Sequence, residues 1–504
     1  MKIFSPALSR LARLRYWRIE HWVDNPTAAQ REVLQDLITH GQYTQFGRKY
    51  QFEEIFNIRK FKETVPIQEY EDLKPYIDQI MEGEQSVLWN TPVAWFAKSS
   101  GTTSDKSKFI PITKESMEDN HFQGSKDVLT IYYHALPNSD LLTGKSLVVG
   151  GSHQVHPIKE DVQYGDLSAV LLQNSPFWAS LIRTPELSIA LMDEWEEKIE
   201  SLAQNTIAED VTSIAGVPTW TLVLLKRILA ITGKQNIKEV WPNFELYIHG
   251  GVSFTPYKNQ FQKIIGPNCN YIEIYNASEG FFAAQDRVNE EGMLLFLQHG
   301  IFYEFMPIEE YGKCNPQTIG LNKVELGKNY AIVISTNGGL WRYLVGDTIQ
   351  FVDLKPYRIK VSGRLKQYIN AFGEEVIADN TDKAISLACA ELGVTMKEYT
   401  AAPVYMSDHA SGAHEWLIEF ETNPTNMNAF AVSLDKHLQS LNSDYEAKRH
   451  KNIALSLPQI TAVKPGSFHE WLKRKGKLGG QHKVPRLSNE RKYLEELKEI
   501  HEAL

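Results

Sequence analysis

A chain of 504 residues, 42% hydrophobic and 23% charged, has an ordinary globular composition and is too long for a single hydrophobic core. Its formal charge of −9 leaves no broad positive field for a phosphate polymer, which argues against nucleic acid as the main partner. Cys269, Cys314 and Cys389 are scattered, odd in number and outside any metal-ligand spacing, so neither a disulfide framework nor a zinc site is expected, and a reducing cytoplasm fits best. No apolar run of about 18 residues is present, so no spanning segment and no membrane partner are expected.

The first twenty residues carry Lys2, Arg10, Arg13, Arg15 and Arg18 with no acid before Glu20. They read as a surface helix with a solvated basic face, the alternative being an organelle-targeting or membrane-surface helix. Asn25-Pro26 supplies an N-cap and a first-turn proline, and Val33, Leu34, Leu37 and Ile38 then repeat at helical spacing as far as Gly41. Further helices are expected around 68–82, 114–134, 186–204, 218–232 and 256–265. Short β-rich runs fall at 146–149, 245–248, 271–275, 294–296 and 330–335. Such alternation predicts an α/β protein with a parallel or mixed sheet, whose ligands sit where loops leave the carboxyl ends of strands. The pattern changes between 350 and 375, which marks a domain boundary. Beyond it come a strand near 416–421, a helix near 425–441, and a basic, loop-like stretch over 473–492.

Three stretches carry chemistry. Ser99-Ser100-Gly101-Thr102-Thr103-Ser104-Asp105-Lys106-Ser107-Lys108 is a small, hydroxyl-rich turn. Its backbone N–H groups can approach phosphate oxygens closely, and Lys108 adds charge; a solvent-exposed turn is the competing reading, and the Walker A spacing is absent. Tyr275-Asn276-Ala277-Ser278-Glu279-Gly280 follows an apolar strand. Glu279 there suits a hard divalent cation, and Tyr275 an adenine ring, although a glutamate at a strand end is often only solvated. In Trp341-Arg342-Tyr343-Leu344-Val345-Gly346-Asp347, the aspartate can accept hydrogen bonds from ribose hydroxyls, with Arg364 following as a further sugar or phosphate contact. His249, His153 and His156 have no serine or cysteine nucleophile at a usable spacing, so no triad is assigned.

In combination these motifs resemble those of the adenylate-forming superfamily of acyl-CoA ligases, luciferases and peptide-synthetase adenylation domains. More narrowly, 99–111, 275–279, 343–347 and 363–370 look like the plant auxin-responsive, or Gretchen Hagen, family of acyl-acid amido synthetases. Val65-Pro66-Ile67, Gly216-Val217-Pro218 and His482-Lys483-Val484-Pro485-Arg486-Leu487 share that likeness, which runs from about 40 to 490. The family's phosphate loop usually has a glycine after its threonine pair, where this chain has Ser104.

The resemblance implies a large N-terminal adenylation domain, residues 1–365, with mixed sheets flanked by helices and a β-barrel-like subdomain. A small, mobile C-terminal α/β domain, residues 366–504, would turn about 364–372. It implies ATP and Mg²⁺ as cofactors and small carboxylic acids and amino acids as partners, in a monomer or weak dimer. By the same resemblance, Ser99, Ser100, Gly101, Thr102, Thr103 and Lys108 hold phosphates, and Glu279 holds the metal. Gly250, Gly251, Tyr275, Ala277 and Ser278 border the nucleotide, Asp347 and Arg364 its sugar, and Lys483 swings in as the catalytic cation. Trp220, Phe177 and Trp178 are expected as acyl-pocket walls. The rival readings are an acid–thiol ligase making acyl-CoA and a nucleotide-binding protein without turnover.

Overall fold

The computed structural model describes residues 5–99, 108–150, 155–159, 161–192, 195–251, 254, 258–288, 290–365, 368–374, 376–406, 411–452, 454–474 and 485–504. Its centre is an eleven-stranded sheet. One half is parallel, built from Asn270–Ala277, Leu246–Gly250, Val211–Gly216, Lys145–Val149 and Arg183–Thr184. The other half is antiparallel and contains Ile301–Pro307, Asn329–Thr336, Tyr343–Leu354, Tyr357–Arg364, Met293–Leu295 and Gly280–Ala284. The barrel-like part expected from the resemblance corresponds to this antiparallel half, which continues the same sheet. A separate four-stranded sheet contains the hairpin of Trp95–Ser99 and Lys108–Ile112.

Period-two alternation decides which helices cover which face. Leu246 packs in the cluster that holds Val128, Ile131 and Tyr132 of helix Phe122–Ala135. Its neighbour Tyr247 points the other way, into the cluster of Leu224, Leu225 and Ile228 from helix Pro218–Thr232. Helix Pro26–Gly41 starts with proline in its first turn, as expected. Helix Tyr70–Met81 opens on a reciprocal capping box between Glu69 and Asp72, a signal that satisfies two otherwise orphaned N–H groups.

The expected helix over 186–204 is two helices, Leu187–Ala190 and Trp195–Thr206. The first closes on itself when the Leu191 N–H donates to the Leu187 carbonyl at 3.0 Å and the backbone leaves helical geometry at ψ 12°. Strand Asn270–Ala277 is longer than expected and runs through the motif to the turn at Ser278-Glu279.

After residue 365 a different sheet takes over, with order Thr395–Val404, Ala413–Thr422, Gln459–Ala462. Helices Ala378–Leu392 and Met427–Leu441 lie on one side, while Phe468, Trp471, Leu494 and Leu497 pack on Leu417 from the other. One apolar cluster joins Tyr247 and Phe261 of the first part to Tyr399 and Trp416 of the second.

Arg342 ties the antiparallel half to the chain's early segment. Its guanidinium donates to Glu304 through Nε and Nη2 at 2.8 and 2.9 Å, and through Nη1 to the Lys62 and Val65 carbonyls at 3.1 and 2.6 Å. Both side chains are buried, at 5% and 2% exposure. The Gln68 N–H reaches the Arg342 carbonyl at 2.9 Å, and the Leu344 N–H reaches the Gln68 carbonyl at 2.8 Å. Val65-Pro66-Ile67 is thereby fixed as a short support beside Tyr343. Arg342→Ala leaves the Glu304 carboxylate buried without its partner, so a loss of about 3–5 kcal/mol is expected in urea unfolding. A loss under about 1 kcal/mol would show that the pair is screened by water.

Candidate active site

The two strands of the hairpin end opposite one another, with Ser99 in register with Lys108, so residues 100–107 connect two fixed points. Ser100, Gly101, Thr102 and Thr103 lie outside the described residues, as does the side chain of Ser99. Lys108 itself is 8% exposed. Its Nζ donates to the Tyr343 hydroxyl at 3.2 Å and lies 5.5 Å from the Tyr70 ring centre and 5.8 Å from that of Tyr343. Two electron-rich rings thus hold an ammonium that burial would otherwise penalise. The Tyr70 hydroxyl also accepts the Phe109 N–H at 2.8 Å, which pins the hairpin to helix Tyr70–Met81.

Tyr343 begins the strand that carries Asp347. Asp347 is 6% exposed, and the Tyr275 hydroxyl donates to its Oδ2 at 2.7 Å. That bond joins the second and third motifs directly. The Tyr275 ring is buried and tilted against Phe282 at 4.7 Å, so in this structure its polar end orients the aspartate. Gly346, just before, has φ +93° with nothing within 4 Å of an added Cβ; backbone conformation, not space, calls for glycine there. The ladder sets Arg364 opposite Asp347, and the Leu365 N–H donates to the Gly346 carbonyl at 2.9 Å. The side chain of Arg364 lies outside the described residues.

Ala277 pairs with Gly280, which leaves Ser278 and Glu279 as the tip of a tight hairpin. Asn120 secures its base, accepting the Phe281 N–H at 2.6 Å and donating to the Phe281 carbonyl at 3.2 Å. Glu279 is half-buried. Magnesium is commonly held by one or two carboxylates together with substrate phosphates, and one half-buried carboxylate at the tip of a hairpin fits that pattern.

Gly250 ends the next parallel strand, in register with Ile274. A Cβ at Gly250 would stand 2.5 Å from the Ile274 carbonyl oxygen, so no side chain can intrude on this rim. The Gly251 carbonyl accepts from Asn370 Nδ2 at 3.5 Å, a contact from beyond the 365 junction. His249 is 4% exposed and stacked on Phe254 at 4.0 Å, and its Nδ1 has no hydrogen-bond partner among the described residues. Burial, with help from Lys258, pushes its imidazole down to about 3, so the ring is neutral at pH 7 and adds no charge beside the Gly250 rim.

The expected acyl walls do not share one enclosed surface. Phe177 is 83% exposed, whereas Trp220 is 8% exposed beneath the Lys448 ammonium, 3.8 Å from its ring centre. The side chain of Trp178 lies outside the described residues. A cleft of about 500 Å³ opens among Val155, Gln173, Leu187, Ser188 and Leu191. Lys483 also lies outside the described residues, but the chain after it is anchored. The Pro485 carbonyl accepts from Thr400 Oγ1 at 2.7 Å, the Arg486 carbonyl accepts the Ala401 N–H at 2.8 Å, and the Arg486 guanidinium sits 4.7 Å from the Tyr399 ring centre.

Lys108, Tyr343, Asp347, Tyr275 and the Glu279 turn are therefore linked through two side-chain hydrogen bonds and the strands Tyr343–Leu354 and Asn270–Ala277. Tyr70, Tyr343, Asn120 and Asn370 join this constellation although motif reading assigned them no role. The aromatic residue opening the helix after Val65-Pro66-Ile67, the tyrosine inside the aspartate motif, and the place of Asn370 at the end of the family-like stretch 363–370 offered a signal; Asn120 had none.

The N-terminal domain model of the GH3 family matches residues 15–269, the central domain model 294–364 and the C-terminal domain model 379–492. The indole-3-acetic acid-amido synthetase GH3.3 of Arabidopsis thaliana is 24% identical, with 96% of this chain and 92% of that protein covered. The 4-substituted benzoates-glutamate ligase GH3.12 of the same plant is 22% identical, with 95% and 96% covered. Among solved structures, the AtGH3.15 acyl acid amido synthetase in complex with 2,4-DB superposes with a TM-score of 0.64 at 18% identity, over 98% of this chain and 96% of that one. With the three family models matched in order along most of its length, this chain belongs to the GH3 family.

Proposed function

We propose that this chain is an ATP-dependent acyl-acid amido synthetase. It activates a small carboxylic acid as an acyl-adenylate, with release of pyrophosphate, then passes the acyl group to the amine of an amino acid to give an amide and AMP. The observation that carries this reading is the Tyr275–Asp347 hydrogen bond of 2.7 Å, which brings the Glu279 hairpin and the aspartate strand to one place, with Lys108 held on the same strand through Tyr343. Relatives that act on an indolic acid and on benzoates support an acyl acid as substrate without selecting one.

A carboxylate is a poor acyl donor because its oxygen leaves badly, and coupling to AMP supplies the leaving group. The substrate carboxylate attacks the α-phosphorus in line, and charge gathers on the phosphoryl oxygens. In this reading the backbone of 99–103 and the Lys108 ammonium receive that charge, Asp347 holds the ribose hydroxyls with Tyr275 fixing its carboxylate, and the Gly250-Gly251 rim admits the base. Glu279 would hold Mg²⁺, which when bound neutralises phosphate charge. Lys483, carried by the segment before the anchored Pro485–Arg486, completes the charge balance between carboxylate and phosphate. Rigid positioning and fixed charge do most of the work in such a reaction.

We assign the adenylation machinery to residues 1–365 and the lysine-bearing unit to 366–504, turning about 364–372 between the half-reactions. The proposed working form is a cytoplasmic monomer or weak dimer using ATP and Mg²⁺.

ATP–pyrophosphate exchange against a panel of aromatic, indolic and fatty acids tests the assignment. At least one acid should support exchange, and adding amino acids should then yield amide faster than coenzyme A yields thioester. Exchange with no acid, or thioester as the main product, removes the reading. Lys483→Ala should slow adenylate formation on the order of 100-fold, the scale of losing one transition-state donor, while ATP affinity changes little; parallel loss of both would take Lys483 out of the chemical step. For Glu279→Ala, the Mg²⁺ concentration giving half-maximal exchange should rise, and an unchanged metal dependence would contradict the role given to this carboxylate.

A further inference from the structure

Helix Ser5–Asp24 is not absorbed by the chemistry above. Its inner face is firmly seated. Ile19 and Trp22 are 0% and 2% exposed, Arg15 Nη2 lies 3.2 Å from the Asp127 carboxylate, and Tyr16 stacks on His134 at 3.5 Å with a 6° tilt. The outer face is unusual for a solvated helix. Leu11, Leu14 and Trp17 are 58%, 60% and 61% exposed, at spacings that place them on one side of the helix. Arg10, Arg13 and Arg18 are exposed on the same side, and the Arg18 guanidinium lies 5.7 Å from the Trp17 ring centre.

Of the two sequence readings of this stretch, the solvated basic surface accounts for the arginines but not for three large apolar side chains held in water beside them. We infer that this outer face docks on an anionic phospholipid surface, with Leu11, Leu14 and Trp17 entering the headgroup boundary and the arginines meeting lipid phosphates. Apolar side chains flanked by arginine, with tryptophan at the interface, are what a helix lying in that plane requires. Charge selects the occupant. The exposed side has no acid before Glu20, so a second copy pairing through the same face would set arginines against arginines, whereas a lipid phosphate layer neutralises them. The chain as a whole is net negative, so contact with that surface depends on a local basic face, and this helix sets three large apolar side chains within one. No described helix is long and apolar enough to cross a membrane, so the contact is peripheral. This departs from the expectation of no membrane partner and takes up the membrane-surface alternative for this helix.

Cosedimentation of the full chain with large vesicles provides the test. Binding to equimolar phosphatidylcholine and phosphatidylserine should exceed binding to phosphatidylcholine alone by about tenfold or more and weaken with salt. Leu14→Ser with Trp17→Ser, and separately Arg10→Glu with Arg13→Glu and Arg18→Glu, should each lower vesicle binding by about tenfold or more. Circular dichroism melts and pyrophosphate exchange should stay unchanged in both, because none of these residues touches the inner face or the site. No binding by the parent chain, binding undiminished in both variants, or a dimer that both variants abolish without any lipid binding would each overturn the inference.

Discussion

The buried pair of Arg342 and Glu304 is the constraint on which the site geometry rests. An arginine inside a protein has to place every N–H on an acceptor or lose the hydration it gave up. Here the acceptors are Glu304 on one strand and the Lys62 and Val65 carbonyls on a distant segment. Satisfying them draws the early chain against the start of strand Tyr343–Leu354. Residue 342 also adopts φ +42°, an uncommon conformation for a side-chain-bearing residue, which the four-way hydrogen bonding holds in place. Helix Tyr70–Met81 and its Tyr70 hydroxyl follow from that placement, and so does the cradle around Lys108.

From this anchor the site is assembled by short reaches. Tyr343 meets Lys108, Asp347 meets Tyr275, and the strand of Tyr275 runs two residues further to the Ser278-Glu279 turn. Among the described residues of the candidate site, Lys108, Asp347 and Tyr275 are each mounted on a strand, and Glu279 lies one turn from it. The parallel half of the sheet contributes a glycine rim at Gly250, where packing against the Ile274 carbonyl forbids any side chain.

How much of this could be read in the sequence depends on range. Helix Pro26–Gly41, with its first-turn proline, and the parallel strands Lys145–Val149, Leu246–Gly250 and Asn270–Ala277 follow from local periodicity and were legible, whereas strands Val211–Gly216 and Arg183–Thr184 were not. Motif order suggested that 99–108, 275–279 and 343–347 meet, but not by what bonds. The Tyr275–Asp347 contact spans 72 positions and Arg342–Val65 spans 277; no local pattern encodes such pairings. The break between Leu187–Ala190 and Trp195–Thr206 was hidden because both halves have good helical composition. Aromatic content alone misplaced the acyl walls: Phe177 and Trp220 are chemically alike, yet one faces water and the other sits under Lys448.

The register of Ser99 opposite Lys108 bears on how the family's phosphate hairpin can vary. With both stems clamped by a β-ladder, the entropy of closing the intervening span grows only with the logarithm of its length. Residues 100–107 can therefore be rewritten, as the serine at 104 already illustrates, while the ladder returns the chain to the same two exits. Exchanging that span for one of another length would thus leave its two attachment points on the scaffold unchanged.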